Sequence, residues 1–168
     1  MNEIEFSPPR ELKWIPHSAT VATSMKSRIL IVDGHSMIFR WPDLAKLHAE
    51  KTSAARDALV RMLTVLQDGS DWIVAVVFDG KGLKPSNQSE PDGIRVFYSK
   101  SGQTADSIIE RLAAKYAPTC DVTVATDDRL ERITAESFGS MSISSDQLLA
   151  EIRAAESSIR ETIRQLKR

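Results

Sequence analysis

The chain has 168 residues, enough for one domain with its own hydrophobic core and too few for two. A composition that is 42% apolar and 27% charged excludes disorder and membrane insertion as its general character. With 22 basic against 23 acidic residues the net charge is −1, so no overall positive field draws nucleic acid and any phosphate contact must be local.

Residues 1–27 hold Pro8, Pro9 and Pro16 and no sustained period, and read as an irregular extension, with Met25 a possible alternative start. They carry acids and prolines where a signal peptide needs an apolar stretch, and no later run reaches the roughly 18 apolar residues that span a bilayer. A cytoplasmic protein without membrane contact is expected. From Arg28 the pattern changes: Ile29-Leu30-Ile31-Val32 is a continuous apolar run, read as a buried strand that ends in a turn at Asp33-Gly34. A helical stretch follows to about Ala49, interrupted at Trp41-Pro42. A second runs from Ser53 to Gln67, with Ala55, Leu59, Met62, Leu63 and Leu66 at helical spacing and Asp68-Gly69 as a stop.

Trp72 to Phe78 is the next β-branched run, and it too ends in an acid and a glycine, Asp79-Gly80. The glycine- and proline-containing stretch 80–93 reads as a mobile loop. Ile94–Tyr98 is expected as a strand, Thr104–Tyr116 as a helix, and Val122–Ala125 as a strand leading into Thr126-Asp127-Asp128. Cys120, the single cysteine, excludes an internal disulfide and reads as a core residue. A helix from Arg129 to Phe138, a short strand at Met141–Ile143 and a long helix from Ser145 complete the chain. The last helix places Ile152, Ala155, Ile159, Ile163 and Leu166 on one face, which is expected to pack on the domain. Alternating strands and helices of these lengths imply right-handed crossovers and a parallel sheet covered on both faces.

Three apolar strands therefore end in acid: at Asp33, at Asp79, and at Asp127 with Asp128. In a parallel sheet all strand C-termini share one edge, and ligands of open α/β folds bind beyond that edge. A further acid, Asp106, sits in the first turn of a helix, with Glu110 one turn along the same face. Carboxylates held together repel, and a divalent cation removes that penalty. Oxygen donors of this kind suit Mg²⁺ or Mn²⁺, while the lack of a cysteine cluster or an H-E-x-x-H pair argues against zinc. An ion there has the chemistry to activate water against a phosphodiester. Each acid also has a plainer reading. Asp33 and Asp79 are well placed to cap helices or start turns, Asp106 to complement a helix dipole, and Glu110 to pair with Arg111 or Lys115. Asp127 and Asp128 are adjacent, so on a strand they face opposite ways, and Asp128 is preferred for the site.

The residues also resemble a family. Ile31-Val32-Asp33-Gly34-His35-Ser36-Met37-Ile38 is similar to the opening V-D-G-Y-N-x-I of YacP-like NYN-domain proteins, in the PIN-like nuclease group. Ala55-Arg56-Asp57, Val76-Val77-Phe78-Asp79, Thr104-Ala105-Asp106 with Ile109-Glu110-Arg111-Leu112, and Met141-Ser142 follow as landmarks in the expected order. The resemblance covers residues 28–152; 1–27 and 153–168, the latter a continuation of the last helix, lie outside it. It departs from the pattern at His35-Ser36, where Tyr-Asn is common, and at Asp127, where Ser is usual. The resemblance implies a PIN-like three-layer α/β/α sandwich with a mainly parallel sheet and a divalent-metal-dependent endoribonuclease that acts on RNA, including mRNA on ribosomes. It implies Asp33, Asp79, Asp106 and Asp128 as catalytic and metal-binding acids, with Glu110 in support.

Ser36 is well placed to cap the first helix or to orient a metal ligand, and Asp127 is a second supporting candidate. His35 is expected as a structural hydrogen-bonder or a phosphate contact. RNA contacts are expected from Arg40, Lys81, Lys84, Lys100 and Arg129 around the acidic edge, although surface cations are most often merely solvated. Two other readings stay open: a non-catalytic RNA- or ribosome-binding module of the same fold, and a 5′-nuclease-like DNA enzyme, whose opening His35-Ser36 resembles but whose clamping helices have no room in 168 residues.

Overall fold

In a computed structural model, the structure describes residues 26–80 and 93–167. The expectations for residues 1–25 and for the loop that carries Lys81 and Lys84 lie outside the described residues.

Strand β1 (Arg28–Asp33) leads into helices α1 (Gly34–Arg40), α2 (Pro42–Glu50) and α3 (Thr52–Asp68). Strands β2 (Trp72–Phe78) and β3 (Arg95–Tyr98) follow, then α4 (Ala105–Tyr116), β4 (Asp121–Ala125), α5 (Arg129–Ser137), β5 (Met141–Ile143) and α6 (Ser145–Leu166). The sheet order is β3-β2-β1-β4-β5, and every pairing is parallel. β1 is central: the chain builds outward from it to β2 and β3, then returns to its other side for β4 and β5. That reversal between β1 and β4 is the switch point at which a parallel sheet opens a crevice.

Alternation along the strands feeds two cores. Leu30 and Val32 of β1, with Trp72, Val74, Val76 and Phe78 of β2, pack against Met37, Leu44, Leu59, Leu63, Leu148 and Ile152 on α1, α2, α3 and α6. Ile31 and Val77 face the other way, onto Ile109, Leu112 and Ala113 of α4 and Ala135 of α5. The result is a three-layer α/β/α sandwich. Trp41 and Trp72 are buried in the first core, and Cys120 is half-buried against the second.

Two local differences from the sequence reading have physical reasons. Asp33-Gly34 forms no loop, because the strand passes directly into α1. A side chain at Gly34 would collide with the Phe78 ring, and one at Gly80 with the Ser99 backbone. The Asp-Gly pairs at the ends of β1 and β2 thus mark places where the backbone crosses closely over a neighbouring strand. The apolar stripe of α6 is buried only through Leu148, Ile152 and Ala155, whereas Ile163 is 48% and Leu166 82% exposed. The last turns extend beyond the body on which the first half packs.

Candidate active site

Strand register brings the acids to one edge. Asp33 pairs with Val77, two residues short of Asp79, and Val32 pairs with Ala125, one residue short of Thr126. By alternation Asp33, Asp79 and Thr126 project toward the α4/α5 layer, and Asp127 toward the α1/α6 layer.

Asp33 is buried at 5% exposure. One carboxylate oxygen, Oδ1, accepts the His35 amide at 3.0 Å and so caps α1. Oδ2 accepts the Ser36 hydroxyl at 2.7 Å and the Thr126 hydroxyl at 3.3 Å. Ser36 also accepts the Asp127 amide at 3.3 Å, which ties the first strand end to the fourth. Ser36 and Thr126 therefore fix the rotamer of the most buried aspartate.

Asp79 accepts the Ala105 amide at 3.1 Å and the Ser99 hydroxyl at 3.2 Å, both on Oδ1. The first contact draws the start of α4, and with it Asp106, to the edge. Arg56 of α3 donates to the Asp79 carbonyl at 2.6 Å while its guanidinium lies over the Phe78 and Tyr98 rings. Sequence analysis noted Arg56 only as a family landmark; it is a positioning residue for Asp79. Asp106 is held above the ordinary carboxylate range, first by desolvation, then by the charges of Asp33, Asp128, Asp79 and Glu110. All of these carboxylates are near enough to resist its ionisation.

The adjacent acids after β4 diverge. Asp128 caps α5, accepting the Leu130 and Glu131 amides at 2.8 and 3.3 Å on Oδ1, and stays exposed at the edge. Asp127 instead binds the start of α6, accepting the Ser145 amide at 2.9 Å and the Ser145 hydroxyl at 2.7 Å. Arg40 and Arg132 lie 3.7 and 4.0 Å from its oxygens. Burial raises its pKa, but the Ser145 bonds, then Arg40 and Arg132, outweigh that and hold it below the ordinary value. Asp127 is a clamp on α6.

The structure adds an acid that sequence analysis missed. Glu131, on the first turn of α5, is 3% exposed, and neither of its buried carboxyl oxygens has a hydrogen-bond partner. Burial first, then the Asp33 charge, push its pKa up to about 8. The Thr126 hydroxyl and the Asp33 carboxyl lie close enough to affect its proton affinity without making a well-formed bond to it. Its only sequence signal is the spacing Asp128-x-x-Glu131, which ordinarily spells a helix cap.

This donor set of carboxylate and hydroxyl oxygens fits a hard divalent ion in its chemistry, and the buried, unpartnered oxygens of Glu131 fit a cation in their need. The spacing is more open: among the described residues no three His, Cys, Asp or Glu side chains are gathered at metal-holding distance. An ion that keeps several waters and takes one or two carboxylates directly does not require such a cage.

Around this edge, His35, Phe39 and His48 form a row of rings with centroids 4.4 and 4.8 Å apart, and Phe39 is 53% exposed. Arg40 ends α1 beside them, paired with Asp127. Arg129 is exposed at the first position of α5, and Lys100 is exposed after β3. Glu110 is half-buried on α4. Among the described residues no helix is long and apolar enough to cross a membrane.

The sequence model of the family described as YacP-like NYN domain matches residues 30–168, a span that includes all of α6. Over 142 residues the chain is 34% identical to YacP of Bacillus subtilis (strain 168), itself described as an uncharacterized protein, and the match covers 82% of each. A crystal structure of Rae1 (YacP) from Bacillus subtilis superposes with a TM-score of 0.70 at 33% identity, covering 82% of this chain and 80% of that one. A mutant of the same protein gives 0.69 at 32% identity, covering 83% and 82%.

Proposed function

Because this chain belongs to the YacP-like NYN domain family, a nuclease-type domain, we propose that it is a divalent-metal-dependent endoribonuclease acting on RNA, with mRNA on ribosomes as the intended setting. The observation that carries this reading is the gathering of Asp33, Asp79, Asp106 and Asp128 at one sheet edge, close enough that the other three oppose the ionisation of Asp106. These acids would hold Mg²⁺ or Mn²⁺, which when bound supplies a water of lowered pKa and charge for the leaving oxygen.

The chain's own residues do the positioning. Ser36 and Thr126 fix the Asp33 carboxylate, and Ser99, Ala105 and Arg56 fix Asp79. Phe39, flanked by the His35 and His48 rings, offers an unpaired base a stacking surface within one short helix of Asp33. Arg129 and Lys100 supply positive charge at the rim, with Lys81 and Lys84, which follow Asp79 in the sequence, as further candidates. The experiment is Mg²⁺- or Mn²⁺-dependent cleavage of free and ribosome-bound RNA by the unmutated chain and by Asp33→Asn. Cleavage lost in the variant supports the enzyme. The open carboxylate spacing favours one other reading, a non-catalytic RNA- or ribosome-binding module, and binding without cleavage in any setting would select it.

A further inference from the structure

Glu131 carries a second consequence. A glutamate three residues after an N-cap aspartate ordinarily turns back to accept the N-cap amide. Here that amide is taken: Asp128 N–H donates to the Thr126 hydroxyl at 3.1 Å. The Asp128 side chain meanwhile caps the amides of Leu130 and Glu131. Deprived of its usual partner, Glu131 turns inward, where its carboxyl is 3% exposed and lies near Asp33 and Thr126.

A buried carboxyl that serves only structure finds donors, because oxygens taken out of water and left unpaired lose their hydration with nothing in return. Glu131 has none. Two arginines of this edge are engaged elsewhere, Arg40 with Asp127, and Arg132 with Asp127 and the Thr126 carbonyl, while Arg129 is exposed to solvent. Among the described residues neither Asp33 nor Glu131 forms an ion pair, so two neighbouring buried carboxyls lie together without a cationic partner. A small cation would partner both carboxyls and would displace the Glu131 proton on binding.

We propose that Glu131 is an additional carboxylate of this centre that would bind the divalent cation together with its buried neighbour Asp33. The inference rests on the metal-dependent reading above and extends it to a residue on α5 that otherwise has the look of a helix cap. It adds a second buried carboxyl, beside Asp33, to the exposed Asp79, Asp106 and Asp128.

The test is Mn²⁺ binding to the full chain without RNA, measured by calorimetry and by the rise in Tm on adding the ion, for the unmutated chain and Glu131→Gln. The glutamine keeps the shape and loses the charge. Mn²⁺ affinity about ten-fold or more weaker in Glu131→Gln, with a smaller rise in Tm, supports the assignment. Equal affinity in the two proteins overturns it and leaves Glu131 a structural residue, while the metal reading stands. No binding to the unmutated chain overturns both. Should the variant fail to fold, the Glu131 side-chain carboxyl carbon resonance of the unmutated chain, followed on adding diamagnetic Mg²⁺, reads the same contact: a shift supports the proposal, and an unmoved resonance at saturating Mg²⁺ would overturn it.

Discussion

Ser36 donates its hydroxyl proton to Asp33 Oδ2 across 2.7 Å and in the same position accepts the Asp127 amide. One hydroxyl thus sets the orientation of the most buried aspartate and its distance from the end of β4. Ser36→Ala leaves Asp33 in place but freer to rotate, so RNA cleavage is expected to fall by about 10–100-fold, the usual cost of losing a group that orients a metal ligand. Rates with Mn²⁺ at saturation check it. Unchanged cleavage would reduce Ser36 to part of the fold.

Asp33→Asn, Asp79→Asn and Asp128→Asn are expected to separate chemistry from folding. Asparagine caps helices about as well as aspartate, so α1 and α5 keep their starts. What is lost is anionic charge at the edge, and several kcal/mol of ion-dependent stabilisation correspond to a drop of more than about 100-fold in rate. Circular dichroism melts alongside cleavage assays decide the matter; full activity in all three would sink the assignment of the acidic centre.

Asp127 should behave differently from its neighbour. Asp127→Ala removes two bonds to Ser145 and is expected to cost about 1–3 kcal/mol of stability while leaving Mn²⁺ affinity close to normal. Its carboxylate is held below the ordinary pKa, so its contribution is present at neutral pH and is lost as pH falls through that depressed value. Denaturant titrations at pH 7 and pH 3 should show the variant and the unmutated chain converging in acid.

Glu131 gives the opposite slope. Its folded-state pKa, about 8, lies above the value in an unfolded chain, so it favours the fold in mild acid, and that contribution is lost as pH rises toward 8. In ion-free buffer the Tm of the unmutated chain should fall more between pH 5 and pH 8 than that of Glu131→Gln, which cannot ionise. Parallel curves would mean that Glu131 is not held protonated.

Phe39→Ala is expected to weaken binding of single-stranded RNA by about 1–3 kcal/mol, read as a higher KM with little change in Mn²⁺ affinity. Its ring is half exposed, so the fold should tolerate the loss. A change in kcat alone would place Phe39 outside RNA binding.

The sandwich was legible in the sequence because each layer leaves a local mark: continuous apolar runs for the buried strands, helical spacing for α3 and α4, acids and glycines where strands stop. The edge aspartates were legible for the same reason, since a parallel sheet converts similar strand ends into neighbours. Glu131 was not. Asp128-x-x-Glu131 spells a cap, and only the Thr126 hydroxyl, brought in by tertiary structure, diverts the glutamate inward. The division of labour between Asp127 and Asp128 was half legible: alternation separates them, but nothing local foretells that Ser145 would claim Asp127. The stripe on α6 was over-read because periodicity reports which face is apolar, and says nothing about how far the partner surface extends.

The course of α6 also fixes where the molecule can be held. Asp127 anchors its first residue at the acidic edge, while Ala155 already lies against Gly69, just ahead of the residues that open β2. Its 22 residues at about 1.5 Å each span roughly 33 Å, so the exposed final turns emerge on the side away from the acids. A tether attached at Lys167 would therefore present the acidic edge outward. Immobilised in that way, the chain would keep its proposed cutting face open to a particle much larger than itself.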